Sequence, residues 1–373
     1  MGNDSRINMD GLQRGMDAAG VDVLVAVSLQ NFFYITDTLL LSQMIMPERL
    51  CMAVVPREGK SGAIVCYCEE RQTVDDSWIT DIRTYLEFHE SPMRALAEYL
   101  KERGFHTARI GIEKRFLATI YVEQLAALLP EATLVGADGV FDEARAIKTP
   151  AEIKILAEAG RRTEEAIQAT FQSARPGHSE KRMADDLSTR VLNAGAISFW
   201  ITLSVGDNTA INHPFPSTKP LATGEILRVD VGGLFQGYQS DVARTAVVGS
   251  VNREQRSTYT RLREVQRELI AAARPGVRAC DLYAMYQQAF EQRGFSTTSQ
   301  AVGHSFGIGM HEIPVLHACE MTELKPGMVL NIEPAVKDSQ GYLYHIEDLI
   351  VVTCDEPEIL TNVMDTKDLF VIH

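Results

Sequence analysis

The sequence predicts two domains of different class: an α/β domain over residues 1–145 and a duplicated α+β domain over residues 146–373. Three observations predict this division. Before residue 145, short β-rich apolar runs alternate with helical patterns. At Lys148-Thr149-Pro150 the texture changes, and a proline at a helix start opens a long amphipathic run to Ser173. A phrase then recurs: Ala174-Arg175-Pro176-Gly177 and Ala273-Arg274-Pro275-Gly276 lie 99 residues apart (273 less 174). Each closes a helical pattern, and each precedes a second one ending at Gly195 or Gly294, both 20 residues beyond the arginine. Pro-Gly is common after a helix, but matched spacing on both sides favours an internal duplication.

In the first domain, residues 21–27, 50–55 and 62–68 are short, apolar and strand-like. Cys66 and Cys68 alternate in the third run, which predicts both on one strand face. Residues 92–103 read as a helix with Ser91 as N-cap and Gly104 as its stop. Residues 110–112 follow as a strand, 120–129 as a helix ended by Pro130, and 132–135 as a strand. No phosphate loop or dinucleotide fingerprint occurs, so nothing here declares a chemistry.

A chain of 373 residues can bury a core large enough to fold without disulfides or metal. Its 36 basic and 50 acidic residues give a net charge of −14, which argues against nucleic acid or an anionic membrane as partner. Cys51, Cys66, Cys68, Cys280, Cys319 and Cys354 show neither a CxxC pair nor zinc spacing, as expected of free thiols in a reducing compartment. The first residues hold no apolar signal region, Arg6 stands where a myristoylation motif wants Ser or Thr, and no apolar run approaches the ~18 residues of a membrane span. The expectation is a cytoplasmic protein.

Chemistry concentrates in the second domain, where acids interrupt strand patterns. Asp230 lies in Ile226-Leu-Arg-Val-Asp-Val-Gly-Gly, and Asp241 begins a run to Val248. Gly232, Gly233 and Gly237 stand between them, so the two strands are expected to fold back antiparallel, with both carboxylates near enough to share an ion. His304 and His311 lie in Gly303-His-Ser-Phe-Gly-Ile-Gly-Met-His-Glu-Ile-Pro314, where the glycines let the backbone curl under a site. Glu333 follows Val329-Leu-Asn-Ile, and Glu347 interrupts residues 344–353, with Gly341 in the turn between the two glutamates. Any one of these acids is explained by a strand edge. Four carboxylates in one core would repel and raise one another's pKa. Two divalent cations resolve that conflict, and oxygen-rich ligation with one imidazole suits Mn²⁺, Co²⁺, Fe²⁺ or Zn²⁺. A carboxylate-bridged pair of such ions can hold a hydroxide and polarise a carbonyl.

The order Asp230, Asp241, His304, Glu333, Glu347, with flanking Val-Asp-Val-Gly-Gly, Ser-Asp-Val-Ala-Arg-Thr, Asn-Ile-Glu-Pro and His-Ile-Glu-Asp, resembles the pita-bread metallopeptidases. That family includes methionine aminopeptidase, aminopeptidase P, prolidase and the related creatinase. The likeness spans roughly residues 145–353. A looser likeness over the first 145 residues, including Asn31-Phe-Phe-Tyr-Ile-Thr36, points to the creatinase, prolidase and aminopeptidase P branch. The resemblance implies a pita-bread catalytic domain behind a creatinase-like α/β domain, two divalent ions (Mn²⁺ or Co²⁺ foremost), and a homodimer whose first domain borders a partner's site. It implies Asp230 on one metal, His304 and Glu333 on the other, and Asp241 and Glu347 bridging. Glu333 would shuttle a proton to the leaving nitrogen, His311 would steady the substrate carbonyl, and His213 would contact substrate or leaving group.

The chain departs from the family at three places. His345 stands where proline-directed members carry an arginine, Ser305 stands where glycine is usual, and Lys219 occupies the place of an arginine after the upstream histidine. His345 lies in a strand pattern two residues before Glu347, so it shares a face with that glutamate and is expected to project toward the metal site, setting substrate choice rather than chemistry. The leading reading is an Xaa-Pro dipeptidase or aminopeptidase. The alternatives are a creatinase-like hydrolase or lyase acting on a small nitrogenous metabolite, and a non-catalytic binding protein on the same scaffold.

Overall fold

The computed structural model describes residues 5–296 and 299–373. They form two compact units, Ser5–Arg145 and Ala146–His373. In the first, β1 (Val23–Ala26), β2 (Met52–Pro56), β3 (Gly62–Cys66), β4 (Asp81–Tyr85), β5 (Arg109–Ile112) and β6 (Thr133–Gly136) make one mixed sheet in the order β4-β3-β2-β1-β5-β6. Its helices are α1 (Met9–Ala19), α2 (Leu29–Thr36), α3 (Leu41–Ile45), α4 (Glu70–Asp76), α5 (Pro92–Glu102), α6 (Thr119–Leu128) and α7 (Asp138–Ala146). Ser91 caps α5 by accepting the Met93 N–H. Leu96 and Leu100 of α5 and Leu125 of α6 pack on Val23, Val25, Ile64, Ile110 and Ile112.

Two sequence expectations fail here. The strand beginning at Gly62 stops at Cys66, and Tyr67–Glu69 form a 3-10 turn leading into α4. That turn abolishes the period of two, so Cys66 is buried and Cys68 exposed rather than both facing one way. Strand β4 was not anticipated, because Asp81-Ile-Arg-Thr-Tyr85 is an edge strand with half-exposed side chains and no apolar run.

The second unit begins with α8 (Pro150–Ser173), whose N-cap Thr149 forms a reciprocal capping box with Glu152. It continues through α9 (Glu180–Asn193), β7 (Phe199–Val205), β8 (Ile226–Phe235), β9 (Tyr238–Gln239) and β10 (Val242–Val248). A second helix pair follows, α10 (Arg253–Ala272) and α11 (Ala279–Gln292), then β11 (Ala301–Ser305), β12 (Glu312–His317), β13 (Val329–Ile332), β14 (Ala335–Lys337), β15 (Leu343–His345), β16 (Asp348–Val351), β17 (Glu358–Ile359) and β18 (Phe370–Ile372). One sheet has the order β18-β10-β8-β7, with β9 paired to β8; the other has the order β12-β11-β13-β16-β17, and β14 pairs with β15.

The duplicated phrase marks equivalent structure. Gly177 and Gly276 adopt φ of 89° and 86°, a left-handed conformation that favours glycine. The Gly177 N–H donates to the Leu221 carbonyl at 2.8 Å and the Gly276 N–H to the Leu324 carbonyl at 2.9 Å. Each half also buries its own core. Ile167, Phe171, Leu187 and Val191 pack on Leu203, Val229 and Val231 in the first half. Leu262, Val265, Leu269 and Phe290 pack on Val302, Leu330 and Ile350 in the second. Among the described residues, no helix is long and apolar enough to cross a membrane.

Candidate metal centre

Both sheets of the second unit place their functional side chains by the same rule of register. Strand β8 runs antiparallel to β10 with Asp230 opposite Ala243. Asp241 stands two residues before Ala243, so it shares that sheet face on the diagonal from Asp230. In the other sheet His304 of β11 lies opposite Asn331 of β13, and Asn331 lies opposite Leu349 of β16. Glu333 is two residues beyond Asn331 and Glu347 two residues before Leu349, each just outside its strand, and there they come close to His304. The Glu347 N–H donates to the Ala243 carbonyl at 3.2 Å, which joins the two sheets.

The predicted strand through residues 344–353 is broken. Leu343–His345 pair with β14 and Asp348–Val351 pair with β13, so Ile346 and Glu347 cross between sheets. Asp241 and Glu333 likewise stand just outside β10 and β13.

Donor atoms of Asp241, His304 and Glu347 all lie within 4.8 Å of one another. His304 Nε2 is 3.7 Å from Asp241 Oδ2 and 3.7 Å from Glu333 Oε1. The His304 Nδ1–H donates to the Ser305 carbonyl at 3.1 Å, so Nε2 is the ring nitrogen that faces the acids. His345 Nδ1 is 3.6 Å from Asp230 Oδ2, and its Nε2 is 3.6 Å from Glu333 Oε2. Glu347 is 1% exposed, and neither of its carboxylate oxygens has a hydrogen-bond donor.

Electrostatics follow from this crowding. Burial, then the neighbouring Asp230 and Glu333, pushes the Asp241 carboxyl well above its ordinary value. Burial, then Asp241, Glu333 and Asp230, does the same to Glu347. Burial also raises Asp230, against the pull of His345. Burial opposes ionisation of Glu333 too, but the hydrogen-bonding and charge of His345, with the charge of His304, outweigh it and hold that carboxyl below its ordinary value. Buried carboxylate oxygens without donors, beside an imidazole nitrogen, are a donor set that fits divalent cations.

A cavity of about 490 Å³ opens onto Asp230, Asp241, His304 and Glu333. His213 and His311 line it, with an apolar wall of Trp200, Ile201, Pro214, Phe215 and Met310. The His311 ring lies 4.1 Å from that of His304, and burial, then His304, lowers its pKa. The loop before His213 is held by Arg228, whose Nη2 donates to the Ile211 and Asn212 carbonyls at 2.9 and 2.5 Å. His345 and Glu347 are not among the described residues lining the cavity. His345 projects toward the metal-ligand candidates as expected, with its ring between Asp230 and Glu333.

Two buried networks were missed in the sequence. Arg244 of β10 pairs with Glu164 of α8 and, at 2.9 Å, with Asp348 of β16, and it donates to the Glu347 carbonyl. Lys148 donates to Ser305 Oγ at 2.7 Å and pairs with Glu312 at 3.1 Å, and Glu312 accepts the Gly309 N–H at 2.9 Å. This pins the loop that carries His311. A charged residue inside an apolar strand run was the available signal for Arg244; Lys148 had been read only as a domain boundary.

Residues 9–147 match the Creatinase/Prolidase N-terminal domain. Across 371 residues the chain is 27% identical to the Xaa-Pro dipeptidase of Lactobacillus helveticus, covering 98% of this chain and 99% of that protein. It is 31% identical to the Xaa-Pro dipeptidase of Pyrococcus furiosus over 60% of this chain and 65% of that one. Its fold superposes on the crystal structure of a recombinant prolidase from Thermococcus sibiricus with a TM-score of 0.85 at 25% identity, covering 100% and 99% of the two chains. Residues 154–354, which contain all five clustered acid and histidine ligand candidates, match Metallopeptidase family M24, and the chain belongs to that family of pita-bread hydrolases.

Proposed function

We propose that this protein is a metal-dependent peptidase that cleaves the bond before proline in dipeptides or short peptides. The observation that carries the proposal is the convergence of Asp230, Asp241, His304, Glu333 and Glu347, with both Glu347 oxygens buried and lacking donors, at one end of a substrate-sized cavity. The names of the relatives supply the proline specificity.

Asp230 would hold one divalent ion, and His304 with Glu333 would hold the other. Asp241 and Glu347 are proposed to serve both. Such ions, when bound, polarise a carbonyl and activate water at neutral pH. The chain's own residues then divide the remaining work. Glu333, kept ionised and open to the cavity, would accept a proton from the attacking water at Oε1 and deliver it to the leaving proline nitrogen. His311, held neutral by its lowered pKa, would donate one N–H to the scissile carbonyl as negative charge develops there. His213 would meet the substrate from the facing wall, and the apolar wall suits a hydrophobic side chain before the proline. Mn²⁺ or Co²⁺ as the native ion, with Zn²⁺ or Fe²⁺ as alternatives, a homodimeric state and a cytoplasmic location complete the proposal.

The test is a hydrolysis panel on metal-reconstituted protein, comprising Xaa-Pro dipeptides, longer Xaa-Pro peptides, non-proline dipeptides, creatine and cyclic amidines. Turnover confined to the non-peptide compounds would overturn the reading.

A further inference from the structure

The geometry points to His345 as a metal ligand, its Nδ1 joining Asp230 on one cation so that the centre carries two imidazoles rather than one. The inference rests on the metal-dependent reading above. His345 stands to its acids as His304 stands to its own. His304 Nε2 is 3.7 Å from Asp241 and 3.7 Å from Glu333 Oε1; His345 Nδ1 is 3.6 Å from Asp230, and its Nε2 is 3.6 Å from Glu333 Oε2. Glu333 therefore presents one oxygen to each imidazole. A nitrogen–oxygen separation of this size is long for a hydrogen bond. It suits two donors on one ion, because bonds of ~2.1 Å meeting at 90–120° set their donor atoms about 3.0–3.6 Å apart.

The ring is also pre-positioned. The His345 N–H donates to Thr245 Oγ1 at 3.0 Å, and Thr245 Oγ1 donates to the His345 carbonyl at 2.9 Å. The side chain is 9% exposed and lies outside the described lining of the cavity, so substrate contact does not explain it. With Nδ1 on the cation, the other ring nitrogen faces the Glu333 carboxylate, the kind of neighbour that orients a ligating histidine. An arginine in this place could only act as a fixed positive charge, since guanidinium has no lone pair to offer. A second imidazole moves the ion preference toward borderline cations such as Co²⁺ or Zn²⁺.

The experiment is zinc-edge X-ray absorption on the full-length zinc-loaded protein, with metal content measured in parallel. Two ions sharing His304 and His345 give about one imidazole per ion in the wild type, falling to about one half in His345→Gln and His345→Arg. Calorimetry on the same variants should show the weaker site losing roughly 10–100-fold in affinity. Two variants, each checked by circular dichroism, guard against a folding defect in either. His311→Ala is the control and should leave the imidazole count unchanged. A wild-type count of one half, with two ions bound, overturns the role of His345 and leaves the peptidase reading standing. A wild type that takes up no ions overturns both.

Discussion

Replacing Arg244 with methionine should destabilise the second unit and loosen its hold on metal together. Arg244 and its partners Glu164 and Asp348 have side chains at most 2% exposed. Burial works against the guanidinium charge, but Asp348 and Glu164 overcome it and hold the pKa above its ordinary value. Removing one partner of a buried ion pair costs about 3–5 kcal/mol, because the stranded charge keeps its desolvation penalty. Three remaining contacts soften the loss: Arg267 lies 3.6 Å from Asp348, Thr361 donates to Asp348 at 3.0 Å, and the Val363 N–H donates to Glu164 at 2.8 Å. The lower half of the range, about 3–4 kcal/mol, is therefore expected. At roughly 2–4 °C per kcal/mol for a unit of this size, Tm should fall by about 6–16 °C in scanning calorimetry. The guanidinium also binds the Glu347 carbonyl, so metal affinity should fall by roughly 10–100-fold. Arg244→Lys should be intermediate, since one ammonium cannot reproduce the planar fork. A Tm for Arg244→Met within about 2 °C of wild type would refute the reasoning.

Four further outcomes are expected. Because Asp241 and Glu347 hold their protons well above the ordinary carboxylate range, ion uptake should release protons and tighten as pH rises; equal calorimetric heats in buffers of different ionisation enthalpy would contradict this. Asp241→Ala and Glu347→Ala should retain less metal than Asp230→Ala by atomic absorption, and equal loss in all three would exclude the bridging roles. His311→Ala should keep its metal while kcat falls by roughly 10²-fold, so loss of metal in this variant would move His311 out of the carbonyl-binding role. Burial pushes Glu152 from 4.5 to about 7. A raised carboxyl stabilises fully below its unfolded pKa and loses that contribution as pH rises through the folded one, so roughly 3 kcal/mol should disappear between pH 4.5 and 7. Glu152→Gln should flatten that slope in urea unfolding, and an unchanged slope would assign the pH dependence elsewhere.

Much of this protein was legible because local chemistry announces it. Pro150 behind Thr149 marks a helix start, because proline lacks an N–H that the first turn does not need and the threonine hydroxyl accepts the Glu152 N–H. Gly177 and Gly276 mark the repeats, since each sits in a left-handed turn. Acids inside apolar runs pointed to the candidate centre, because a bound cation or a strand edge is what justifies them there. The antiparallel return from Asp230 to Asp241 followed from the glycines between them. Tertiary structure decided what depends on pairing between distant segments. Arg244 finds Glu164 and Asp348 at separations of 80 and 104 residues, which no local pattern encodes. Cys68 left the sheet because the chain had to wind into α4. His345 shows the limit most clearly. Two residues before Glu347, a continuous strand would make His345 and Glu347 neighbours on one face. The chain instead pairs residues 343–345 with one strand and 348–351 with another, and the crossing between them sets the imidazole against Asp230 and Glu333. A side chain's direction follows from the hydrogen bonds of its backbone, and those are settled only when the sheets assemble.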